Sequence, residues 1–102
     1  MIVRIWRTRV DPARTGEYER FADERSLPMF RQQTGFRGVL FASGEKTERA
    51  VLSFWEDAAA LEALGRSPTY RETVDALVAS GILTGEQTVE VLDVHGGVPP
   101  GA

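Results

Sequence analysis

The feature that most constrains this chain is the presence of apolar residues on both faces of its strand-like segments. Within residues 36–42, Gly38, Leu40 and Ala42 point one way while Val39 and Phe41 point the other. Within residues 49–55, Val51 and Trp55 oppose Ala50, Leu52 and Phe54, and further on Val89 and Val91 oppose Leu92 and Val94. Successive residues of a strand face opposite sides, so a sheet covered by helices on one side alternates apolar inward and polar outward. These segments do not. A chain of 102 residues with two helical stretches covers one face only, and an apolar face left in water is an interface or an aggregation liability. The expected solution is a homodimer packed sheet on sheet.

The order of the elements sharpens this. Ile2 to Val10 is rich in β-branched and aromatic residues and reads as a strand. Asp11-Pro12 starts a helix by a side-chain cap followed by proline, and Tyr18, Phe21, Ala22 and Arg25 follow at helical spacing. Pro28 is expected to break or kink this helix, with Leu27, Met29 and Phe30 as a short apolar turn and Gly35 as its C-terminal cap. Phe36–Ala42 and Arg49–Trp55 form a hairpin across Ser43–Thr47. Asp57 caps a second helix bearing Ala58, Leu61 and Leu64; Gly65 interrupts it, and Ser67-Pro68 restarts it. Tyr70, Val74, Leu77 and Val78 then repeat at helical spacing, Gly81 stops the helix, and Glu86–His95 is the last strand. The result is α+β, a ferredoxin-like β-α-β-β-α-β fold with a four-stranded antiparallel sheet and helices on one face. Residues 1–95 are expected to form the single domain and residues 96–102, rich in Gly and Pro, a flexible tail.

Composition removes several function classes. Twelve basic residues (eleven Arg and Lys46) against fifteen acidic ones give a net charge of −3, the wrong sign for a dedicated nucleic-acid binder. The third strand, Glu48-Arg-Ala-Val-Leu-Ser-Phe-Trp55, lacks the glycines and aromatic spacing of the RNA-recognition modules that share this element order. With no Cys there is no disulfide, thiol nucleophile or thiolate metal site, and a single His, His95, excludes a two-histidine metal site within one chain. No metal or other cofactor is expected. Charges run through Met1–Val10, so this stretch is neither a signal sequence nor a membrane span. A cytoplasmic protein without membrane contact is the default.

Three stretches then carry a resemblance: Ile2-Val-Arg-Ile-Trp-Arg7, Leu27-Pro-Met-Phe-Arg-Gln-Gln-Thr-Gly-Phe-Arg-Gly38 and Leu52-Ser-Phe-Trp-Glu-Asp-Ala-Ala-Ala-Leu61. Together they resemble the antibiotic biosynthesis monooxygenase family of dimeric α+β barrels, over nearly the whole chain to about His95. That resemblance implies a cavity between sheet and helices, and relatives that include cofactor-free oxygenases of polycyclic phenols, haem-degrading enzymes and quinol-modifying enzymes. The haem-degrading constellation of Asn, Trp and His is not matched, because the chain has no Asn and carries Leu64 and Val74 at the corresponding helical positions. The strand-end Trp of the cofactor-free oxygenases is matched by Trp55, while Val51 and Leu61 stand where those enzymes have Asn and Tyr.

The residues themselves leave paired alternatives. Trp55 shares a face with Val51 and Ser53, to bound an aromatic substrate or to pack the core. Trp6 lies with Arg4 and Thr8 and serves as a cavity wall or a dimer anchor. Tyr70 and Tyr18 on the helices either hydrogen-bond a ligand or are satisfied core tyrosines. His95, the one imidazole of the chain, is either a catalytic base or an exposed strand-end residue. Arg4, Arg7 and Arg9 fix a substrate anion or pair with carboxylates on the sheet. The function expected is a cofactor-free monooxygenase-like enzyme of small phenolic or quinol-type substrates. Arg4 and His95 would be catalytic, and Trp6, Trp55, Tyr70 and Tyr18 would bind substrate. The alternatives are a non-catalytic small-molecule-binding dimer, or a haem binder with His95 or Tyr70 as axial ligand.

Overall fold

A computed structural model describes residues 1–98, so the expected tail over 96–102 lies partly outside the described residues. Strand β1 spans Ile2–Arg9, β2 Phe36–Ser43, β3 Glu48–Trp55 and β4 Thr88–Asp93. They form an antiparallel sheet in the order β2-β3-β1-β4. The helices are α1 (Thr15–Phe21), α2 (Leu27–Arg31), α3 (Ala58–Gly65) and α4 (Pro68–Ala79). This is the ferredoxin-like arrangement expected from the element order.

Local chemistry sets most boundaries as the sequence suggests. Asp11 accepts from the Ala13 N–H ahead of a short 3-10 turn, Asp57 from Ala60 at the start of α3, and Ser67 from Tyr70 at the start of α4. Pro28 behaves differently from expectation. The chain stays helical through it because Ala22–Ser26 widens into a π-helical turn, in which the Leu27 N–H reaches Ala22 O. Proline has no N–H, and its ring clashes with the carbonyl four residues back. The wider turn precedes Pro28, which then sits in the first turn of α2. Gly35 is not the cap, since α2 ends at Arg31. Its φ of +77° makes the turn into β2, and a Cβ there would come within 2.5 Å of Ala60 Cβ on α3.

The strand register confirms the two-faced pattern. Ile2, Arg4, Trp6 and Thr8 of β1 stand in line with Trp55, Ser53, Val51 and Arg49 of β3 on the face beneath the helices. Behind them, Val3 and Ile5 align with Phe54 and Leu52, and Leu40 of β2 with Leu52, on the uncovered face. Leu40 and Leu92 remain 43% and 46% exposed there. One core cluster gathers Trp55, Phe30, Met29, Leu64 and Val51 at the β2–β3 side; a second joins Tyr18, Val10, Leu77 and Ile82. The helices do not reach fully over β4, so Val89 and Val91 stay about half exposed on the helix side. Among the described residues no helix is long and apolar enough to cross a membrane.

Candidate functional site

Between the two core clusters the helix layer stands off the sheet and leaves a cavity of about 270 Å³. Its sheet wall is Arg4, Trp6, Val51 and Val89, and its helical wall includes Tyr18, Phe21, Met29, Tyr70, Val74 and Leu77. The stripe Tyr70, Val74, Leu77, Val78 thus lines a cavity, with Leu77 alone of the four also packed in the second core cluster. Ser26, at the end of the π-helical turn, also lines it, in keeping with the frequency of such turns at functional sites. The surface is predominantly apolar, and Arg4 is the one charged residue in the lining.

Arg4 is held by geometry that only the fold creates. Arg7 and Arg9, which follow it on β1, point to the uncovered face and pair with Glu90 at 3.2 Å and Glu48 at 2.9 Å. Arg4 points to the helix face, where its Nη2 donates to the Tyr70 Oη at 2.8 Å and its guanidinium carbon lies 5.7 Å from the Tyr70 ring centre. The Ser67 cap fixes Tyr70 in the first turn of α4. With one oxygen lone pair receiving Arg4, the phenol O–H of Tyr70 is left to donate to something else. Trp6 is half-buried, and its Nε1 donates to Gln87 Oε1 at 3.2 Å, placing an amide at the cavity mouth. Tyr18 is 4% exposed and lies on the floor. Burial pushes its phenol up to about 12, with the Arg49 charge pulling the other way.

Arg4, Trp6, Tyr70 and Tyr18 are therefore brought into one cavity, and the other two expected site residues are not. Trp55 is fully buried, and its Nε1 donates to Ser53 Oγ at 2.9 Å. Phe30 and Phe36 meet its ring edge-on at 6.2 and 5.8 Å, so the space beside it is filled by the protein. His95 is exposed beyond the end of β4, which stops at Asp93 and not at the expected His95. It does not line the cavity. Gln87, Ser26 and Phe21 were missed. Phe21 had a signal, its place on the same stripe as Tyr18. Gln87 had none, because it sits in a segment that reads as strand yet precedes β4. Among the described residues no group of three His, Cys, Asp or Glu side chains is placed to hold a metal ion.

Comparison with known proteins gives these residues a context. Over 96–97% of its length the chain superposes on three solved structures. The ActVA-Orf6 monooxygenase of Streptomyces coelicolor, solved with the ligand nanaomycin D, matches with a TM-score of 0.81 and 22% identity over 91% of that chain. SnoaB, a cofactor-independent oxygenase of Streptomyces nogalater solved as a mutant, gives 0.77 and 20% over 96%. Rv0793 of Mycobacterium tuberculosis gives 0.75 and 22% over 98%. At these identities the likeness is one of fold. No curated protein matches significantly. A family model described as antibiotic biosynthesis monooxygenase matches residues 1–76, which takes in β1 to β3, α3 and most of α4. The chain belongs to the antibiotic biosynthesis monooxygenase family.

Proposed function

We propose that this protein is a cofactor-free oxygenase of a small aromatic phenol or quinol, bound in the cavity between sheet and helices. The observation that carries this reading is a single cation, Arg4, without a carboxylate partner among the described residues, in a predominantly apolar cavity. Such a cavity favours a flat apolar body with one anionic oxygen, since a charge in a low-dielectric site attracts strongly. A phenolate held at Arg4, with the Tyr70 O–H donating to it, is electron-rich enough to pass an electron to O₂. Recombination at the ring carbon forms a C–O bond. If that carbon bears two hydrogens, as in an anthrone, the hydroperoxide loses water: one oxygen atom becomes the carbonyl and the other leaves with both hydrogens. Trp6 and Phe21 would wall the ring, and Tyr18, neutral below its raised range, would close the floor. SnoaB's description as a cofactor-independent oxygenase and the nanaomycin D complex of ActVA-Orf6 support the reaction and the ligand class.

The test is oxygen uptake with a panel of anthrones and quinols, on the parent and on Arg4→Gln and Tyr70→Phe. Uptake that both substitutions reduce at least tenfold, with the fold retained, supports the proposal. Binding of the same compounds with no uptake refutes it. That outcome supports a second reading, a non-catalytic binding protein, which one observation favours: neither a carboxylate nor a histidine lines the cavity to act as base.

The uncovered sheet face supports a homodimer, with Val3, Ile5, Leu40, Leu52, Phe54 and Leu92 forming the contact. A monomer by sedimentation at micromolar concentration would refute this.

A further inference from the structure

The cavity has a second polar end, at Gln87. The register sets Arg4 of β1 opposite Val91 of β4, and Trp6 opposite Val89. Gln87, two residues before Val89, continues that face and lines the same cavity. The step from Val91 back to Gln87 is about 13 Å along an extended strand. Arg4 and Gln87 therefore enter at opposite ends, with Trp6 between them. The other polar groups do not duplicate the second end. Tyr70 belongs to the Arg4 end, Tyr18 and Ser26 stand on the helix layer, and Thr73 donates back into α4, to Thr69 O at 2.8 Å.

The Gln87 amide has a defined sense. An indole N–H only donates, so the Gln87 atom 3.2 Å from Trp6 Nε1 is the amide oxygen, and the NH2 group is left to donate elsewhere. An amide turned this way presents N–H groups and selects acceptors. We infer that Gln87 is a specificity-determining residue: its NH2 donates to a carbonyl or ether oxygen at the end of the ligand remote from the oxygen held by Arg4. Two oxygens on one ring stand too close together to meet both ends. Two at opposite ends of a fused-ring phenol, lying along Trp6, meet both. The inference rests on reading the cavity as a phenol site, and narrows the ligand to a fused-ring phenol with a remote acceptor.

Calorimetry under nitrogen tests this apart from turnover. 6-Acetyl-2-naphthol and 6-ethyl-2-naphthol are titrated into the parent, Gln87→Leu and Gln87→Glu. Comparing the ratio of the two dissociation constants between proteins cancels what differs between the naphthols themselves. The parent should favour the acetyl compound by roughly three- to tenfold more than Gln87→Leu does, the usual worth of one hydrogen bond. Gln87→Glu keeps an acceptor for Trp6 and has no donor, so it should lose the preference as well; a residue that only braced the indole would keep it. The same ratio in the parent and Gln87→Leu, or a preference retained in Gln87→Glu, would overturn the inference and leave the phenol site standing. Failure of both naphthols to bind the parent would overturn the two together. The expected ratios with no oxygen uptake in air would sustain the inference and remove only the oxygenase.

Discussion

The two tryptophans of this chain stand on the same face of the sheet and have opposite surroundings. Trp55 ends β3 under α2 and α3, is fully buried, and spends its N–H on Ser53 two residues away in the same strand. Trp6 lies mid-strand in β1 with one face open to the cavity, and spends its N–H on Gln87, 81 residues away in sequence. The first is closed by its own neighbours; the second is closed only when the segment before β4 folds back. The family resemblance favours Trp55 as the functional residue, and the packing favours Trp6. The difference shows that a matched residue and a placed residue are separate facts.

This contrast predicts a ranking of substitutions. Trp55→Ala should have the largest effect, a loss of about 3–5 kcal/mol, read as a lowered urea midpoint. A change below ~1 kcal/mol would mean that Trp55 is not the centre of the core. Tyr18, on the floor between cavity and core, comes next through pH. Its folded-state range is raised from 10.0 to about 12, so the neutral phenol is favoured in the folded protein. That stabilisation is complete below pH 10 and disappears as pH rises through 12. It amounts to about 3 kcal/mol, and the alkaline fall in stability should flatten in Tyr18→Phe when both are titrated with urea.

Arg4→Gln should leave stability within about 1 kcal/mol while weakening binding of an anionic aromatic ligand by roughly 10- to 100-fold, the usual worth of a charged hydrogen bond. Equal binding by calorimetry would break the link between this cation and the site. Smallest is Trp6→Phe, which keeps an aromatic wall and loses the bond to Gln87. Fluorescence titration should show binding weakened about threefold, with stability shifted by less than about 1 kcal/mol. A loss as large as that at Trp55 would place Trp6 in the core as well.

Much of the fold was legible because it is written in local chemistry. The Asp11, Asp57 and Ser67 caps are short-range bonds between residues two or three apart, and the two-residue alternation assigned the sheet faces correctly. The π-helical turn was not legible, since a proline in a helical stretch signals strain without saying how the chain relieves it. Arg4 and Arg7 illustrate the limit within the site. They are three residues apart on one strand and alike in chemistry, yet one meets Tyr70 in a cavity and the other Glu90 on the uncovered face.

By itself the sequence determined the order of elements, their caps and which residues share a strand face, because each depends on neighbours close along the chain. Only the tertiary structure decided which apolar stripe lines a cavity and which is sealed, and which arginine is left without a carboxylate. Those outcomes depend on how far the helix layer stands from the sheet, and that distance is set by the sum of side chains packed between them.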